Sequence, residues 1–574
     1  MKILVLLIFV HMLFSGNTGD EPKDRTIFIQ PLRIPLSLSA NFGELRADHF
    51  HSGIDIKTQG VTGKEVVAAA PGYIYRISVS PGGFGKALYL RHPSGYSTVY
   101  GHLDRFTPEI ENYVKSRQYE EKTYMITLWP SKDRFHFNKG DIIAYSGNSG
   151  SSSGPHLHFE IRKSDEEIPV NPLLFEFGVT DNFRPVIEKL CIYPVGRGSY
   201  INGKNKPLML NVSGGNGNYH ISSDNVISIN GEAGFGIKSY DILNSTNNKC
   251  SVFSIVMRID SIVVYNYKMD SFSFNESGYI NSHIDYESYI REKAFYEKTY
   301  TLPGDRLSVY KDIVNRGIYS FTDKKKHQVE ITVSDIHGNR SKLTFNVRSV
   351  NPPENSQLSP EPDDATMMPY GRNNRFISGN VSVTIPAGAL YDTLWFRFFK
   401  TEAQPGMYSE LYHLHNKYTP LHKAFHLSIK PDDIPAGKST KLLIVRLTDE
   451  RKKIPLATSW DNGRLTANSG SFGNFYVGID TIPPSIKPVG FTPGSDLRGR
   501  ESLMLRIRDD LSGIKTYQPE IDGKWALFEY DQKNEILIYR FDPERIRKGT
   551  KHILNLSVTD NRDNIRTYEC GFEW

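Results

Sequence analysis

The chain of 574 residues has only three cysteines, Cys191, Cys250 and Cys570. An odd number leaves at least one thiol unpaired within a monomer, which excludes a dense disulfide framework. Cys191 and Cys250 could pair in an oxidising compartment; the alternative is three buried thiols that act as small apolar side chains. The cysteines stand apart from the histidine-rich segments of the chain, so thiol-based catalysis has little support.

Long apolar runs are missing after the first 20 residues, so no transmembrane segment is expected. The N terminus has Lys2, a nearly continuous apolar run over residues 3–14, and then the small residues Ser15 and Gly16. This run is too short for a stable membrane anchor, so we predict a cleaved signal peptide over residues 1–19. No cysteine follows the run to carry a lipid. We therefore expect an exported protein, located in the periplasm, in the cell envelope or outside the cell.

A strong charge bias is absent as well. The net charge is +5 and the pI is about 8.7, which over a chain of this length does not indicate a nucleic-acid partner and favours an anionic polymer only weakly. The apolar fraction of 39% and the charged fraction of 23% are typical of globular proteins. The 32 tyrosines and 31 phenylalanines favour strands over helices, because aromatic side chains fit the pleated surface of a sheet.

Turn and strand signals predict a mainly β fold with several domains. Residues 31–175 are rich in glycine and contain short alternating segments, which are typical of antiparallel strands separated by turns. A weak repeat follows, because residues 236–240 (GIKSY) resemble residues 513–517 (GIKTY), and similar closing segments surround Asp335 and Asp560. We interpret the repeat as two related immunoglobulin-like β-sandwich modules, the first with a long insertion. The alternative is chance similarity of strand and turn sequences.

Composition sets the predicted boundaries. A stretch rich in proline, serine and acidic residues marks a linker, and the paired prolines Pro483 and Pro484 mark a second boundary. The predicted division is the signal peptide (1–19), an antiparallel-sheet domain (20–180), an immunoglobulin-like β-sandwich with an insertion (181–350), a linker (351–375), a further β-sandwich module (376–480) and a C-terminal immunoglobulin-like β-sandwich (481–574).

Three short motifs in the first domain carry its chemistry. They are His51-Ser52-Gly53-Ile54-Asp55, Tyr100-Gly101-His102-Leu103 and Gly154-Pro155-His156-Leu157-His158. If the third motif begins a strand, His156 and His158 project from the same face while Leu157 points into the core. The glycine-rich loop before them allows the backbone to turn sharply close to this face.

Two imidazoles and one carboxylate are a common set of ligands for catalytic zinc, and they leave a fourth position for water. Each motif alone is a weak signal: Tyr412-His413-Leu414-His415 also contains His-x-His, with His422 and His426 nearby. That second cluster has neither a preceding glycine loop nor a His-x-x-x-Asp segment, so we interpret it as strand histidines. The three motifs in order within one domain are a strong signal.

With these motifs, residues from about 31 to 175 resemble the lysostaphin-type (LytM) zinc endopeptidases. The segments HFHSGIDI, VYGHL, GDIIAYSGNSGSSSGPHLHFEIR and VNPLLF carry the resemblance. It implies one Zn²⁺ held by His51, Asp55 and His158, with His156 and His102 as the catalytic histidines that activate water or stabilise the tetrahedral intermediate. The stretch from Glu109 to Phe137 is longer than in compact family members, which leaves substrate choice open. The segment 109–121 has the composition of a short helix.

The resemblance also implies a function: hydrolysis of peptide bridges or crosslinks in bacterial peptidoglycan. The alternatives are an envelope regulator that activates another wall hydrolase without cutting peptides itself, and a wall-binding scaffold. The complete set of ligands argues against the regulator. The expected partners are peptidoglycan peptides and, through the C-terminal β modules, an envelope protein or wall polymer, but no nucleic acid. Asp48 and Asp104 are candidates for orienting a site histidine, and His49 and His92 are expected to be solvated or hydrogen-bonded at the surface.

Overall fold

The computed structural model describes residues 24–221, 226–244, 246–353 and 363–574. The prediction of a mainly β fold is confirmed: strands dominate every part of the described chain. The signal peptide predicted for residues 1–19 lies outside the described residues. Within the described ranges, no helix has both the length and the apolarity needed to cross a membrane.

The first domain is an antiparallel sheet with the central strand order β1-β2-β10-β6-β5-β4-β7. The remaining strands attach to this path: β11 pairs with β10, β8 with β4, and β9 with β3 and β6. The elements are β1 (Leu38–Ala40), β2 (Ile54–Lys57), β3 (Glu65–Val67), β4 (Gly72–Val79), β5 (Lys86–Arg91), β6 (Tyr96–Phe106), α1 (Pro108–Glu121), β7 (Ile126–Leu128), β8 (His136–Phe137), β9 (Ile142–Ser146), β10 (His156–Lys163) and β11 (Ile168–Val170), followed by a 3₁₀ turn at Pro172–Leu174.

Helix α1 occupies the segment expected to be helical. It begins with a proline in its first turn, where the missing N–H costs nothing. It buries Ile110, Val114 and Gln118, whose spacing of four residues places them on one face. It ends at Lys122, which has a left-handed backbone conformation. The helix therefore packs one stripe against the sheet, while Lys115 and Tyr119 outside this stripe contact the C-terminal module.

The alternation predicted for β10 is present. Leu157, Phe159 and Ile161 are fully buried in the core of the first domain, while the intervening His156, His158 and Glu160 project from the opposite face. Because side chains alternate along a strand, one strand supplies both a piece of the core and a row of polar groups.

The first β module follows the connector after residue 175. An extended sheet contains strands Val186–Ile201, Leu208–Gly215, Asn218–Ile221, Ile227–Tyr240, Ser254–Ile259, Ile262–Lys268, Glu297–Lys298, Tyr310–Ile313, Tyr319–Phe321, Lys326–Ser334 and Arg340–Ser349. The insertion contributes short helical segments at Phe274–Tyr279, Ile280–His283, Tyr286–Glu292 and Asn315–Gly317. The core of this module includes Phe42 and Phe50 of the first domain, so the two units share buried surface.

The last two modules each contain two sheets around one core. The middle module has strands Ala365–Met368, Asn374–Ser378, Val381–Ile385, Leu394–Thr401, Leu411–Leu414, Phe425–Ile429, Leu442–Leu447, Lys453–Pro455, Thr458–Asp461, Arg464–Ser469 and Gly473–Ile479, with a 3₁₀ turn at Ser439–Lys441. The C-terminal module has strands Ser485–Pro488, Ser502–Arg508, Ile514–Ile521, Lys524–Trp525, Phe528–Asp531, Ile536–Arg540, Lys551–Asp560 and Ile565–Glu573.

Strand Ala365–Met368 falls inside the linker predicted for residues 351–375, and it pairs with Leu394–Thr401. The linker is therefore shorter than its composition suggested, because an edge strand with two methionines and a threonine carries little hydrophobic pattern. The other domain boundaries stay predictions. Cys191, Cys250 and Cys570 are buried free thiols.

The internal repeat has a matching local structure in its closing turns. In the first module, the Asn339 side chain and backbone N–H both donate to Asp335, at 2.7 and 2.8 Å. In the C-terminal module, Asn564 makes the same two bonds to Asp560, at 2.7 and 2.9 Å. The shared turn supports the interpretation of two related modules over chance similarity of strand and turn sequences.

Candidate metal centre

The sheet register brings the first and third motifs together. Strands β2 and β10 are antiparallel, and Asp55 lies directly opposite His158. On the other side of β10, Gly101 of β6 opposes His158. Because directly opposed residues have neighbouring side chains, the carboxylate and the imidazole meet on one face, and the absence of a side chain at Gly101 leaves room for Phe84 beside His158.

Three ligand atoms form a small triangle on this face. His51 Nε2 lies 3.1 Å from Asp55 Oδ1 and 3.1 Å from His158 Nδ1, and His158 Nδ1 lies 3.0 Å from Asp55 Oδ1. All three residues are buried. Zinc ligands at 2.0–2.1 Å in a tetrahedron are separated by about 3.3 Å, so the triangle has close to the size that a zinc ion requires.

The tautomers of both imidazoles agree with metal binding. His51 Nδ1 donates to the carbonyl oxygen of Asn41 at 2.8 Å, so its Nε2 carries the free lone pair. His158 Nε2 donates to Glu160 Oε1 at 2.9 Å, so its Nδ1 carries the lone pair. A hydrogen bond from the far nitrogen fixes the ring and raises its basicity as a ligand. These residues therefore fit a divalent metal of the zinc type.

His156 and His102 border the triangle without belonging to it. His156 Nδ1 donates to the carbonyl oxygen of Gly154 at 2.8 Å, and its Nε2 lies 3.5 Å from Asp55 Oδ1. His102 Nδ1 donates to the carbonyl oxygen of Ser149 at 2.9 Å, and the His102 and His156 ring centroids are 4.7 Å apart. In both neutral rings, Nε2 is the proton-accepting nitrogen.

Buried electrostatics set the pKa values of these groups. Burial opposes charge on His158, but its hydrogen bonds to Asp55 and Glu160 outweigh burial and raise its pKa to about 9. Burial, together with the nearby His158 and His156, lowers the pKa of His102 to about 3. Burial would raise the pKa of Asp55, but the neighbouring imidazoles of His51, His156 and His158 hold it well below its usual value.

Glu160 was missed by the motif analysis. It is fully buried and accepts hydrogen bonds from His158, from Ser52 and from Arg162, the last at 2.6 Å. The charge on Arg162 and the bond from His158 overcome burial and lower the pKa of Glu160 to about 2. Strand alternation could have found it, because His156, His158 and Glu160 share one face of β10. Asp48 and Asp104 do not orient a site histidine: they bind His49 and Arg105 instead.

Two further residues contact the triangle. Arg46 lies 3.5 Å from Asp55 Oδ2, and the Phe84 ring stacks on His158 with centroids 4.6 Å apart. Neither belongs to a short motif, so only the folded chain reveals them. His49 is exposed as expected, whereas His92 is buried and hydrogen-bonded to Pro71 and Thr98.

The histidines of residues 413–426 form no metal-capable group in the described parts of the chain. His413 stacks on Phe399 and binds Asn474, and His415 binds Thr419. This agrees with the interpretation of the second His-x-His as strand histidines.

The C-terminal module contacts the loop that precedes the third motif. Lys533 donates to the carbonyl oxygens of Asn148 and Ser152, the latter at 2.8 Å. Ser149, whose carbonyl oxygen anchors His102, lies between these two carbonyls in the sequence. Lys533 therefore holds both ends of the loop segment that orients His102.

Further contacts join the C-terminal module to the first domain. Glu529 pairs with Lys86 at 3.4 Å, and Asp542 pairs with Lys115 of α1. Tyr119 packs edge-to-face on Trp525. The long stretch expected to shape the groove thus carries a docking surface for the C-terminal module.

Fold and donor set together define the class: an antiparallel-sheet domain with a His-Asp-His metal centre and two adjacent histidines. Residues 49–119 and 132–172 match Peptidase family M23. The family match thus falls on the first domain and agrees with the resemblance that its three motifs carry. Residues 365–480, in the middle module, match the Zu5-like domain.

Two curated relatives match about a quarter of the chain or less. An "Uncharacterized metalloprotease" of Haemophilus influenzae is 33% identical over 21% of this chain and 20% of its own length. The "DD-carboxypeptidase/endopeptidase Mpg" of Neisseria meningitidis serogroup B is 31% identical over 25% of this chain and 28% of its own length. The chain therefore spans well under half the length of these curated relatives.

Among solved structures, the catalytic domain of the prophage-encoded M23 protein EnpA from Enterococcus faecalis is 25% identical, covering 25% of this chain and 95% of that one, with a TM-score of 0.19. The catalytic domain of lysostaphin from Staphylococcus simulans is 21% identical, covering 24% of this chain and 90% of that one, with a TM-score of 0.18.

We predict that Lys533→Met loosens the loop at residues 148–152. The variant removes the donor to two loop carbonyls, so backbone amides of this loop should exchange with deuterium at least about tenfold faster, as expected for a locally destabilised segment. Hydrogen exchange followed by mass spectrometry on the full chain measures this. Lys524→Met, which changes an exposed lysine of the same module, is the control. Equal exchange in both variants would contradict a clamping role for Lys533.

Proposed function

We propose that the first domain is a zinc-dependent endopeptidase that hydrolyses peptide crosslinks or bridges of bacterial peptidoglycan. The observation that carries this proposal is the triangle of His51 Nε2, Asp55 Oδ1 and His158 Nδ1, with sides of 3.0–3.1 Å and two histidines beside it. The family match supports peptide hydrolysis, and the similarity to the DD-carboxypeptidase/endopeptidase of Neisseria meningitidis supports wall peptides as the substrate class.

The proposed roles divide the site between binding and proton transfer. When bound by His51, Asp55 and His158, Zn²⁺ supplies a Lewis acid that polarises a carbonyl group and lowers the pKa of water toward about 7. His156 and His102 are the proton carriers, because each has its Nδ1–H engaged by a backbone carbonyl and its Nε2 free to accept a proton. Such positioned general bases and acids contribute about 10²–10⁴-fold to a rate.

The proposed location is outside the cytoplasm, since the substrate is there and a signal peptide is predicted for residues 1–19. We propose that the β modules connect this enzyme with wall polymer or with an envelope protein. The contacts of Lys533, Glu529 and Asp542 with the first domain support a further role for the C-terminal module, which is to hold the loop that orients His102.

We predict that His156→Ala and His158→Ala both abolish peptidoglycan cleavage, for different reasons. His158→Ala removes a ligand, so zinc content and cleavage should fall together. His156→Ala should keep one zinc per chain and lose about 10²–10⁴-fold in rate, because only proton transfer is impaired. Release of new amino termini from purified peptidoglycan measures cleavage, and elemental analysis of dialysed protein measures zinc.

His49→Ala is the matched control, because His49 lies two residues from His51 yet is exposed and bound only to Asp48. This variant should retain both zinc and activity. A folded, zinc-loaded wild-type chain that cuts none of several wall types would contradict the enzyme and favour the regulator. Full activity of His156→Ala would contradict the proposed role of that residue.

We also predict that Glu160→Gln weakens zinc binding. The substitution keeps the shape of the side chain but removes the charge that makes His158 a stronger ligand, so Zn²⁺ affinity should fall about 10–100-fold. Competition with a chromogenic chelator measures this affinity. Glu167→Gln is the control, because Glu167 binds the other side of Arg162 and is more than one-third exposed. Equal affinities in the two variants would show that Glu160 does not tune the site.

A further inference from the structure

A second acidic group lies where the chain leaves the first domain. Asp181, Asp335 and His337 bring ligand atoms within 4.8 Å of one another, and Asp241 interacts with the carboxylates of Asp181 and Asp335. All three aspartates are buried: Asp181 is 6% exposed, Asp335 is 4% exposed and Asp241 is 2% exposed. They come from three segments: the connector, the turn after strand Lys326–Ser334, and the end of strand Ile227–Tyr240.

Two oxygens of this group lack any hydrogen-bond partner among the described residues: Asp181 Oδ2 and Asp241 Oδ1. Both belong to side chains more than nine-tenths buried. The remaining partners are few: Asp181 Oδ1 accepts the Phe183 N–H at 3.1 Å, the Ile242 backbone N–H donates to Asp241, and Asn339 donates to both oxygens of Asp335. Within the described ranges, no lysine or arginine forms an ion pair with any of the three aspartates.

Such an arrangement is costly without a counter-charge, because buried carboxylates are strongly destabilised unless they are paired or bind a metal. Burial and the two neighbouring carboxylates raise the pKa of Asp241 to about 7. His337 offers little relief: it is exposed, and its Nε2 bonds to the carbonyl oxygen of Val179. The cluster therefore has a deficit of positive charge that its own residues do not remove.

We propose that Asp181, Asp241 and Asp335 form a binding site for a hard divalent cation, Ca²⁺. The donors are oxygen atoms, which Ca²⁺ prefers, and its flexible coordination accepts carboxylates and carbonyls from separate segments. The orphaned Asp181 Oδ2 and Asp241 Oδ1 would become ligands. This site is independent of the proposed peptidase function and of the zinc centre.

The position of the site gives it a structural consequence. Asn339 Nδ2 donates to the carbonyl oxygen of Asp181 at 3.0 Å, and Asn182 N–H donates to Asn244 Oδ1 at 3.0 Å. The connector is thus already fixed to the first β module at this point. A bound cation would join the connector to two further segments and fix how the first domain is attached to the module.

The C-terminal module contains a second cluster of aspartates, which can be compared with the proposed cation site. Asp480, Asp509 and Asp560 also lie within 4.8 Å of one another, and Asn564 reproduces the turn made by Asn339. There, however, both oxygens of Asp480 accept backbone N–H groups. The guanidinium of Arg562 also interacts with Asp480 and Asp560. This second cluster is compensated by protein groups and needs no cation.

Calcium binding to the full chain tests the proposal. The protein is depleted of metal, reloaded with one equivalent of Zn²⁺ and titrated with CaCl₂ in a calorimeter at pH 7.5. We expect one Ca²⁺ per chain with a Kd of about 10⁻⁴–10⁻³ M, as in extracellular calcium modules. Asp241→Asn and Asp335→Asn should weaken binding at least tenfold, whereas Asp509→Asn, in the compensated cluster, should bind as the wild type does.

Thermal unfolding gives a second test, which works even if calcium binding releases too little heat for calorimetry. Saturating Ca²⁺ should raise the melting temperature of the wild type by a few degrees, because it binds only the folded state. Asp241→Asn should raise the melting temperature in calcium-free buffer, since an unpaired charge is removed, and should abolish the calcium effect. A wild type that shows neither heat nor a shift at 10-fold above the expected Kd would overturn the proposal. The proposal would also be overturned if Asp509→Asn lost the calcium-induced rise in melting temperature while Asp241→Asn kept it.

Discussion

The site depends on one row of buried, hydrogen-bonded polar groups: Asp55, His158, Glu160 and Arg162. Each member would be costly alone in the sheet, because a buried charge loses its hydration. Together they are neutralised in sequence, with contacts of 3.0, 2.9 and 2.6 Å. The row fixes the tautomer of His158 and directs its Nδ1 at Asp55. Removing one member leaves its neighbour unpaired, so the metal centre and the stability of the sheet around it are linked.

Much of this could be predicted from the sequence, because the relevant spacings are short. The alternation in His156-Leu157-His158 gave the face of each side chain, and the glycine loop gave the turn before it. Glu160 follows the same alternation and could have been included. Arg46 and Phe84 could not, because their approach to the site depends on how separate loops fold. The strand at Ala365–Met368 was hidden for another reason: its weak hydrophobic pattern resembles that of a linker.

The first domain is not self-contained, and this was beyond any local pattern. Phe42 and Phe50 flank the loop that leads to His51, yet they pack in the core of the first β module, where Phe50 contacts Phe272. Asn41, whose carbonyl oxygen fixes the His51 tautomer, also exchanges hydrogen bonds with Ser251 of that module. The candidate ligand His51 is therefore positioned from both sides of a domain boundary that the sequence predicts near residue 180.

The C-terminal module acts on the opposite side of the site. The M23 match omits residues 120–131, and Lys122, Thr123, Tyr124 and Met125 in this gap line a pocket together with Tyr517 and Trp525 of that module. Residues that depart from the family pattern are thus among those that contact the added module. Lys533 extends this contact to the loop that orients His102. The C-terminal module thus contacts the first domain at two places, the insertion and the loop that orients His102.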